Sequence, residues 1–402
     1  MKIAKKNPLE RLVHLNPETE IWWDSSPLIY ADWSESFLKQ VPAEKASVIK
    51  TELEKMYDSK NPENSLFRGV TTNPPLSLAV IKMREQYVAS ISNSIIDNNP
   101  SISKEDLFWQ TYKEIVKRGA EMYLEIFEKS NHKYGHLSGQ VDPRSLYDVD
   151  AMMKQALELA SLSPNVMIKV PGSKEGYEVI KQLTAKGIAT NNTLTFTLPQ
   201  LIMCAEKVKE GLEIAKKNKV DLSRWRSVIT YMAARYGELR GTMKKEAESL
   251  GIELSESDTR WAEMAIFKKA YMTVKERGYP SKMLLCSMRI SPTVKGKKRC
   301  WHLEKVAGGD IILTCPPSFI EGVFETLENT KFTNQIEKKV PKKVLERLLR
   351  IPYFEKAYME DGYVIDEFNT HPALKATEEE FSKATDTMVG MVAKQLDNRR
   401  KK

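Results

Sequence analysis

The chain has 402 residues, 41% hydrophobic and 29% charged, the composition of an ordinary globular protein rather than a disordered or fibrous one. No apolar run approaches the roughly 20 residues needed to cross a bilayer, and the opening MKIAKKNPLERLVHL lacks the apolar centre of a secretory signal, so a cytoplasmic location is the default expectation. The 62 lysines and arginines against 54 aspartates and glutamates give a net charge of +8, which suits anionic ligands from sugar phosphates to nucleic acid.

Short apolar or β-branched runs recur along the chain, each ending in small or polar residues before a segment of helical periodicity. In order they are residues 21–26 (IWWDSS), 66–74 (LFRGVTTNP), 136–143 (HLSGQVDP), 165–172 (NVMIKVPG), 189–196 (ATNNTLTF), 227–234 (SVITYMAA), 282–289 (KMLLCSMR) and 310–317 (DIILTCPP). Between them the pattern predicts helices over 75–97, 104–130, 148–161, 173–186, 199–218 and 258–277, several opening with a Pro, Ser or Asp suited to a helix start. Eight strands alternating with helices predict an α/β fold, a closed TIM (β/α)8 barrel with additional helices in the long intervals before the second, third and seventh strands. The barrel core covers about residues 20–318, and 319–402 form a C-terminal helical extension that closes with a helix over 378–396. The chain thus reads as a single barrel domain. An open doubly wound sheet would also alternate, but residues 25–33 (SSPLIYADW), after the first strand, hold neither GxGxxG nor GxxxxGK[ST].

The four cysteines have no CxxC spacing and the five histidines no HExxH, which argues against a disulfide framework and a zinc site. The densest basic runs are 295–299 (KGKKR), 338–343 (KKVPKK) and the tail 399–402 (RRKK). Solvated loops and a frayed terminus are the favoured reading of them, over a nucleic-acid surface, whose affinity would fall steeply with salt.

In a barrel of this type the chemistry sits where strands end, and those ends are rich in polar residues. The first strand ends at Asp24. The second holds Thr71, Thr72 and Asn73, the third Gln140 and Asp142, the fourth Lys169, the fifth Asn191 and Thr193, the sixth Thr230 and Arg235, and the seventh Ser287 and Arg289. Lys169 stands inside the apolar VMIKVP, where alternation turns Val166, Ile168 and Val170 toward the helices and Lys169 into the barrel. Desolvation disfavours the ammonium and favours a free amine able to attack a ketone. A lysine paired with a buried carboxylate such as Asp24 is the alternative, and the strand alone leaves both open. Asp24 is equally open as an ion-pair partner or as an acid–base group. Two guanidinium groups and a hydroxyl at Arg235, Ser287 and Arg289 match phosphate oxygens; surface ion pairing is the plainer reading.

Three segments carry a family resemblance: GVTTNPPLS (69–77), IKVPGSKEG (168–176) and GIATNNTLTFT (187–197) resemble, in order and spacing, the signature segments of the transaldolase family. The likeness extends to WWDSS, to Arg235 and SMR, to GGDIILTCP, and to the closing EFN and EEEFSKAT, covering about 20–318 and 366–396, while 332–363 looks like an insertion. The resemblance implies that Lys169 forms a Schiff base with a ketose and that Asp24 moves the proton of the C4 hydroxyl. It implies that Asn73 and Asn191 hold hydroxyls of a dihydroxyacetone unit, that Thr193 positions a water, that Thr230 contacts the sugar, and that Arg235, Ser287 and Arg289 bind the phosphate. Sugar-phosphate substrates follow, with no metal and no organic cofactor; a homodimer is the assembly the likeness would fit.

Two departures stand out. Gln140 occupies the place of a glutamate that relays protons in ordinary transaldolases, and an amide cannot be a base. Fructose-6-phosphate aldolase, a smaller relative, is similar in using glutamine there but pairs it with a tyrosine, where this chain has Met232 beside Tyr231. Met232 reads as packing, Tyr231 as facing the helices, and Asp142, two residues past Gln140, as a substitute base. The expected reaction is transfer of dihydroxyacetone from a ketose phosphate to an aldose phosphate. An aldolase that releases dihydroxyacetone, and a sugar-phosphate-binding protein without turnover, are the alternatives.

Overall fold

The computed structural model describes residues 6–400. Its strands are β1 (Glu20–Asp24), β2 (Phe67–Thr71), β3 (His136–Gln140), β4 (Val166–Pro171), β5 (Thr190–Thr193), β6 (Ser227–Met232), β7 (Ser281–Cys286), β8 (Thr293–Val294), β9 (Lys297–Lys298) and β10 (Ile312–Cys315). Eight of them form a closed parallel barrel in the order β1-β10-β7-β6-β5-β4-β3-β2, as the alternating pattern predicts. The other two, β8 and β9, make an antiparallel hairpin, so the basic run 295–299 is largely a hairpin turn and its second strand.

Two compact units make up the chain. One comprises the segment ending at Trp22 together with Val170–Thr377, and the other Trp23–Lys169 together with the segment from Glu378 onward. In the second unit β2 pairs with β3 and β3 with β4, in a register that sets Gln140 opposite Lys169. In the first unit β5, β6, β7 and β10 pair in turn, with Asn191 opposite Val228 and Met232 opposite Cys286. Strands of a parallel barrel are covered on both faces, and all residues of β1, β3, β4, β5 and β6 are buried.

Six of the eight barrel strands lie within their predicted runs, β1 and β7 begin one residue earlier at Glu20 and Ser281, and all eight stop short of the predicted ends, where the chain leaves the ladder for a helix, a turn or a loop. Asn73 accepts the Leu76 N–H and caps helix Pro74–Met83; Ser173 accepts the Gly176 N–H and caps helix Lys174–Ala185. Gly176 has to be glycine for this helix to lie so close to the end of β4: a Cβ there would sit 1.9 Å from the Pro171 carbonyl oxygen.

Two predicted helices are each broken in two. The helix predicted over 75–97 divides at Arg84 into Pro74–Met83 and Glu85–Asn98, and the Arg84 guanidinium grips Asp32 through Nε at 2.5 Å and Nη2 at 2.9 Å. The one predicted over 104–130 divides into Lys104–Glu121 and Leu124–Lys129 where Tyr123 stacks on Tyr57, whose hydroxyl caps the Met122 carbonyl. Neither break falls at a Gly or Pro, and each falls at a residue whose side chain makes a contact with a distant part of the chain.

Residues 332–363 contain helices Lys342–Leu348 and Pro352–Tyr358 and are fastened to helix Glu256–Glu276. The buried Lys268 amine donates to the carbonyls of Gln335, Ile336 and Lys338 at 2.5, 3.2 and 2.7 Å, and Lys269 donates to Tyr358. The EFN segment clasps the start of helix Lys174–Ala185, where Asn369 accepts the Lys174 N–H and donates to Glu175. The closing helix runs from Pro372 to Arg400, longer at both ends than predicted. Among the described residues no helix is long and apolar enough to cross a membrane.

Candidate active site

Within the second unit, five of the polar strand-end residues come together. Asp24 ends β1 and is 8% exposed; the Thr71 hydroxyl, at the end of β2, donates to its Oδ1 at 2.6 Å. The chain then leaves the ladder, and Thr72 donates its hydroxyl to the Ser138 carbonyl at 2.8 Å. That bond aims the Thr72 carbonyl at Lys169, whose Nζ donates to it at 2.7 Å from β4. Gln140 is buried in register with Lys169, and its side-chain oxygen meets no hydrogen-bond partner among the described residues.

Tyr112, which the sequence gives no reason to single out, pins the end of β3 in this cluster. Its hydroxyl accepts the Gln140 N–H at 3.0 Å and donates to the Gln140 carbonyl at 3.1 Å, in place of a strand partner that β2 no longer supplies. Burial pushes this phenol up to about 12, so it stays a neutral hydrogen-bonding group.

The Asp142 carboxylate is engaged by its own turn. It caps the turn Pro143–Ser145 by accepting the Arg144 N–H, and the Arg144 guanidinium holds it at 2.6 Å. Proline at 143 turns the chain, and the arginine that follows captures the acid.

The first unit carries the remaining residues. Asn191 and Thr193, two apart on β5, share a face; Asn191 Oδ1 accepts the Thr230 hydroxyl from β6 at 2.7 Å, and Thr193 lies against the Met232 sulfur at 4.0 Å. Met232 therefore packs against the polar row, while Tyr231 points the other way onto Phe267 of helix Glu256–Glu276, with ring centroids 6.1 Å apart.

Arg235, Ser287 and Arg289 lie past the strands rather than in them. Arg235 is in the short helix Ala233–Glu238 after β6, and Ser287 and Arg289 are in the loop after β7. The two loops are joined: the Ala234 N–H donates to the Ser287 carbonyl at 3.2 Å and Arg289 Nε reaches Glu238 at 3.1 Å. Arg289 thus forms the ion pair that the plainer reading expects. Ser287 has φ +55°, as does Leu194 directly after Thr193. Left-handed backbone at non-glycine residues costs on the order of 1 kcal/mol or more and gathers at functional sites. Ser287 is itself one of the predicted site residues, and Leu194 follows another.

A closed parallel barrel with a buried lysine, an aspartate and threonines at the ends of its strands defines a TIM-barrel protein whose strand ends are polar. The profile described as Transaldolase/Fructose-6-phosphate aldolase matches residues 50–370, and the chain belongs to this family. Among curated relatives it is 28% identical over 205 residues to Transaldolase 2 of Streptomyces avermitilis, covering 50% of this chain and 54% of that protein. It is 30% identical over 185 residues to the Transaldolase of Kocuria rhizophila (46% and 48% covered) and 31% identical over 169 residues to that of Mycolicibacterium smegmatis (42% and 45% covered). The chain spans about half the length of the curated relatives it matches.

Proposed function

We propose that the chain is a transaldolase-type enzyme that takes a dihydroxyacetone unit from a ketose phosphate and passes it to an aldose phosphate through a Schiff base on Lys169. The observation that carries this reading is the Lys169 amine, 5% exposed and held 2.7 Å from the Thr72 carbonyl, in one cluster with the Asp24–Thr71 pair. A buried amine is costly in a barrel interior unless it is used.

The amine adds to the ketone carbonyl, and loss of water leaves the iminium. Asp24 takes the C4 hydroxyl proton as the C3–C4 bond breaks, and the bond's electron pair moves toward the iminium nitrogen to give the enamine. The aldehyde fragment departs. The enamine carbon then attacks the acceptor aldehyde, Asp24 returns the proton, and water releases the product from Lys169.

Asn73 and Asn191 hold hydroxyls of the three-carbon unit, Thr193 positions the water, and Thr230 contacts the sugar while steadying Asn191. Arg235, Ser287 and Arg289 take the phosphate. Gln140, unable to accept a proton, serves as a hydrogen-bonding group only. It favours a second reading, an aldolase of the same family that releases dihydroxyacetone without an acceptor.

Borohydride trapping with fructose 6-phosphate, followed by peptide mass mapping, tests the first reading. A reduced adduct on Lys169, absent from Lys169→Ala and Lys169→Arg, is expected. No adduct with fructose 6-phosphate, sedoheptulose 7-phosphate or dihydroxyacetone in folded protein would leave a binding role. Product analysis with and without an aldose phosphate separates transferase from aldolase.

A further inference from the structure

The main chain at Arg289 is gripped at both ends by the segment that follows the hairpin. Its N–H donates to His302 Nδ1 at 2.8 Å, and its carbonyl accepts the Cys300 thiol at 3.3 Å. Because Nδ1 accepts, the ring proton lies on Nε2, which donates to Glu263 Oε2 at 2.7 Å. Glu263 Oε1 accepts from Arg260 Nη2 at 2.8 Å, and the same nitrogen donates to Glu238 Oε1 at 2.6 Å. Glu238 Oε2 then takes Arg289 Nε at 3.1 Å, and the circuit of five residues closes on the residue where it began.

The interior of this circuit is buried and tightly fitted, though Arg260 Nε and Nη1 meet no hydrogen-bond partner among the described residues. His302 and Glu263 are 0% exposed and Arg260 1%, while the Arg289 side chain is 47% exposed. A Cβ on Gly237, between Tyr236 and Glu238, would lie 2.0 Å from Glu263 Oε1. Burial lowers the proton affinity of His302 against the opposing pull of Glu263, which keeps the imidazole neutral and Nδ1 free to accept. Buried ion pairs of this kind are no more stabilising than well-packed apolar side chains. What this circuit supplies in addition is geometry: it runs from the core of helix Glu256–Glu276 to one exposed guanidinium.

We propose that His302 is a positioning residue for substrate phosphate: it fixes the Arg289 backbone, and the Glu263–Arg260–Glu238 chain fixes its tautomer and the resting place of the Arg289 guanidinium. This rests on the assignment of Arg289 to the phosphate in the proposed function.

Three variants at one position test it. His302→Asn keeps an oxygen where Nδ1 lies, His302→Gln carries its oxygen to the place of Nε2, and His302→Leu has no acceptor. The expected result is that the Gln and Leu variants bind fructose 6-phosphate about tenfold more weakly, seen as a raised KM with kcat little changed, while the Asn variant stays within about twofold of wild type. Borohydride trapping of dihydroxyacetone, which has no phosphate, should proceed on Lys169 at the wild-type rate in all three, with folding checked by circular dichroism. Wild-type affinity in all three folded variants, or equal losses for the two ligands, would overturn the proposal. Arg289→Met separates the two levels. If it weakens fructose 6-phosphate and the His302 variants do not, only the positioning role falls; if it has no effect, the phosphate assignment falls and the inference with it.

Discussion

Two buried ion clusters sit at opposite ends of the strands of the first unit. At the N-terminal ends, Glu20 of β1 is 1% exposed and takes Arg226 at 2.5 Å, Lys282 at 2.8 Å and the Trp22 indole at 2.9 Å. Burial by itself would raise the Glu20 pKa, but the two cations outweigh it and hold it at about 2. Every partner is on a barrel strand or immediately before one, so the cluster ties strand to strand. At the C-terminal ends the circuit through Glu263 and His302 joins helix and loop and finishes on a half-exposed arginine. Similar ion-pair chemistry ties strand to strand at one end and, in the proposed function, holds a phosphate-binding arginine at the other, the division of labour usual in these barrels.

Substitutions that separate the two ends sharpen this contrast. The largest effect belongs to Lys169→Ala, which should abolish borohydride trapping altogether while leaving the urea unfolding midpoint near wild type; a retained adduct would place the chemistry elsewhere. Asp24→Asn should lower turnover by about 100- to 10,000-fold, the usual range for an acid–base group, yet still let dihydroxyacetone be trapped on Lys169. Steady-state rates beside trapping yields check this, and a loss of both together would make Asp24 structural.

Glu20→Gln should do the reverse, costing about 3 kcal/mol of stability because two partly buried cations lose their charged partner, with trapping retained. Its pH dependence has a definite sign. A carboxylate held at about 2 when folded, against 4.5 ordinarily, contributes its full stability above about pH 4.5 and loses it as the pH falls toward 2. Urea titrations across that window should show the gap between wild type and Glu20→Gln narrowing with acid; a gap that stays constant would remove Glu20 from the account. Smallest is Thr71→Val, which deletes the hydroxyl donated to Asp24 and should slow turnover about tenfold, with donor KM within about twofold.

Much of the candidate site is legible because its residues lie on or just past strands whose period of two is easy to follow. Lys169 is conspicuous in VMIKVP, and Asn191, Thr193 and Thr230 follow from short polar interruptions of buried runs. Arg235, Ser287 and Arg289 are found by the same reading but placed in strands, because polar ends of a run look alike whether the chain continues in the ladder or turns out of it. Tyr112, Glu238, Arg260, Glu263 and His302 go unnoticed. Tyr112, Arg260 and Glu263 sit in helices where a polar residue ordinarily reads as solvent-facing, and nothing local says that this face is buried.

The sequence by itself determines the alternation of eight strands with helices, the closed barrel, the family, and the lysine on which the proposed chemistry turns. All of these rest on local signals: the strand period, helix caps, and short motifs read along one stretch of chain. Only the tertiary structure decides that helices 75–97 and 104–130 break at Arg84 and Tyr123, that Asp142 is taken by Arg144, and that a circuit of buried charges reaches Arg289. Each depends on side chains brought together from distant parts of the chain or turned back by a loop, and the energy of such contacts belongs to the packed arrangement rather than to any one segment.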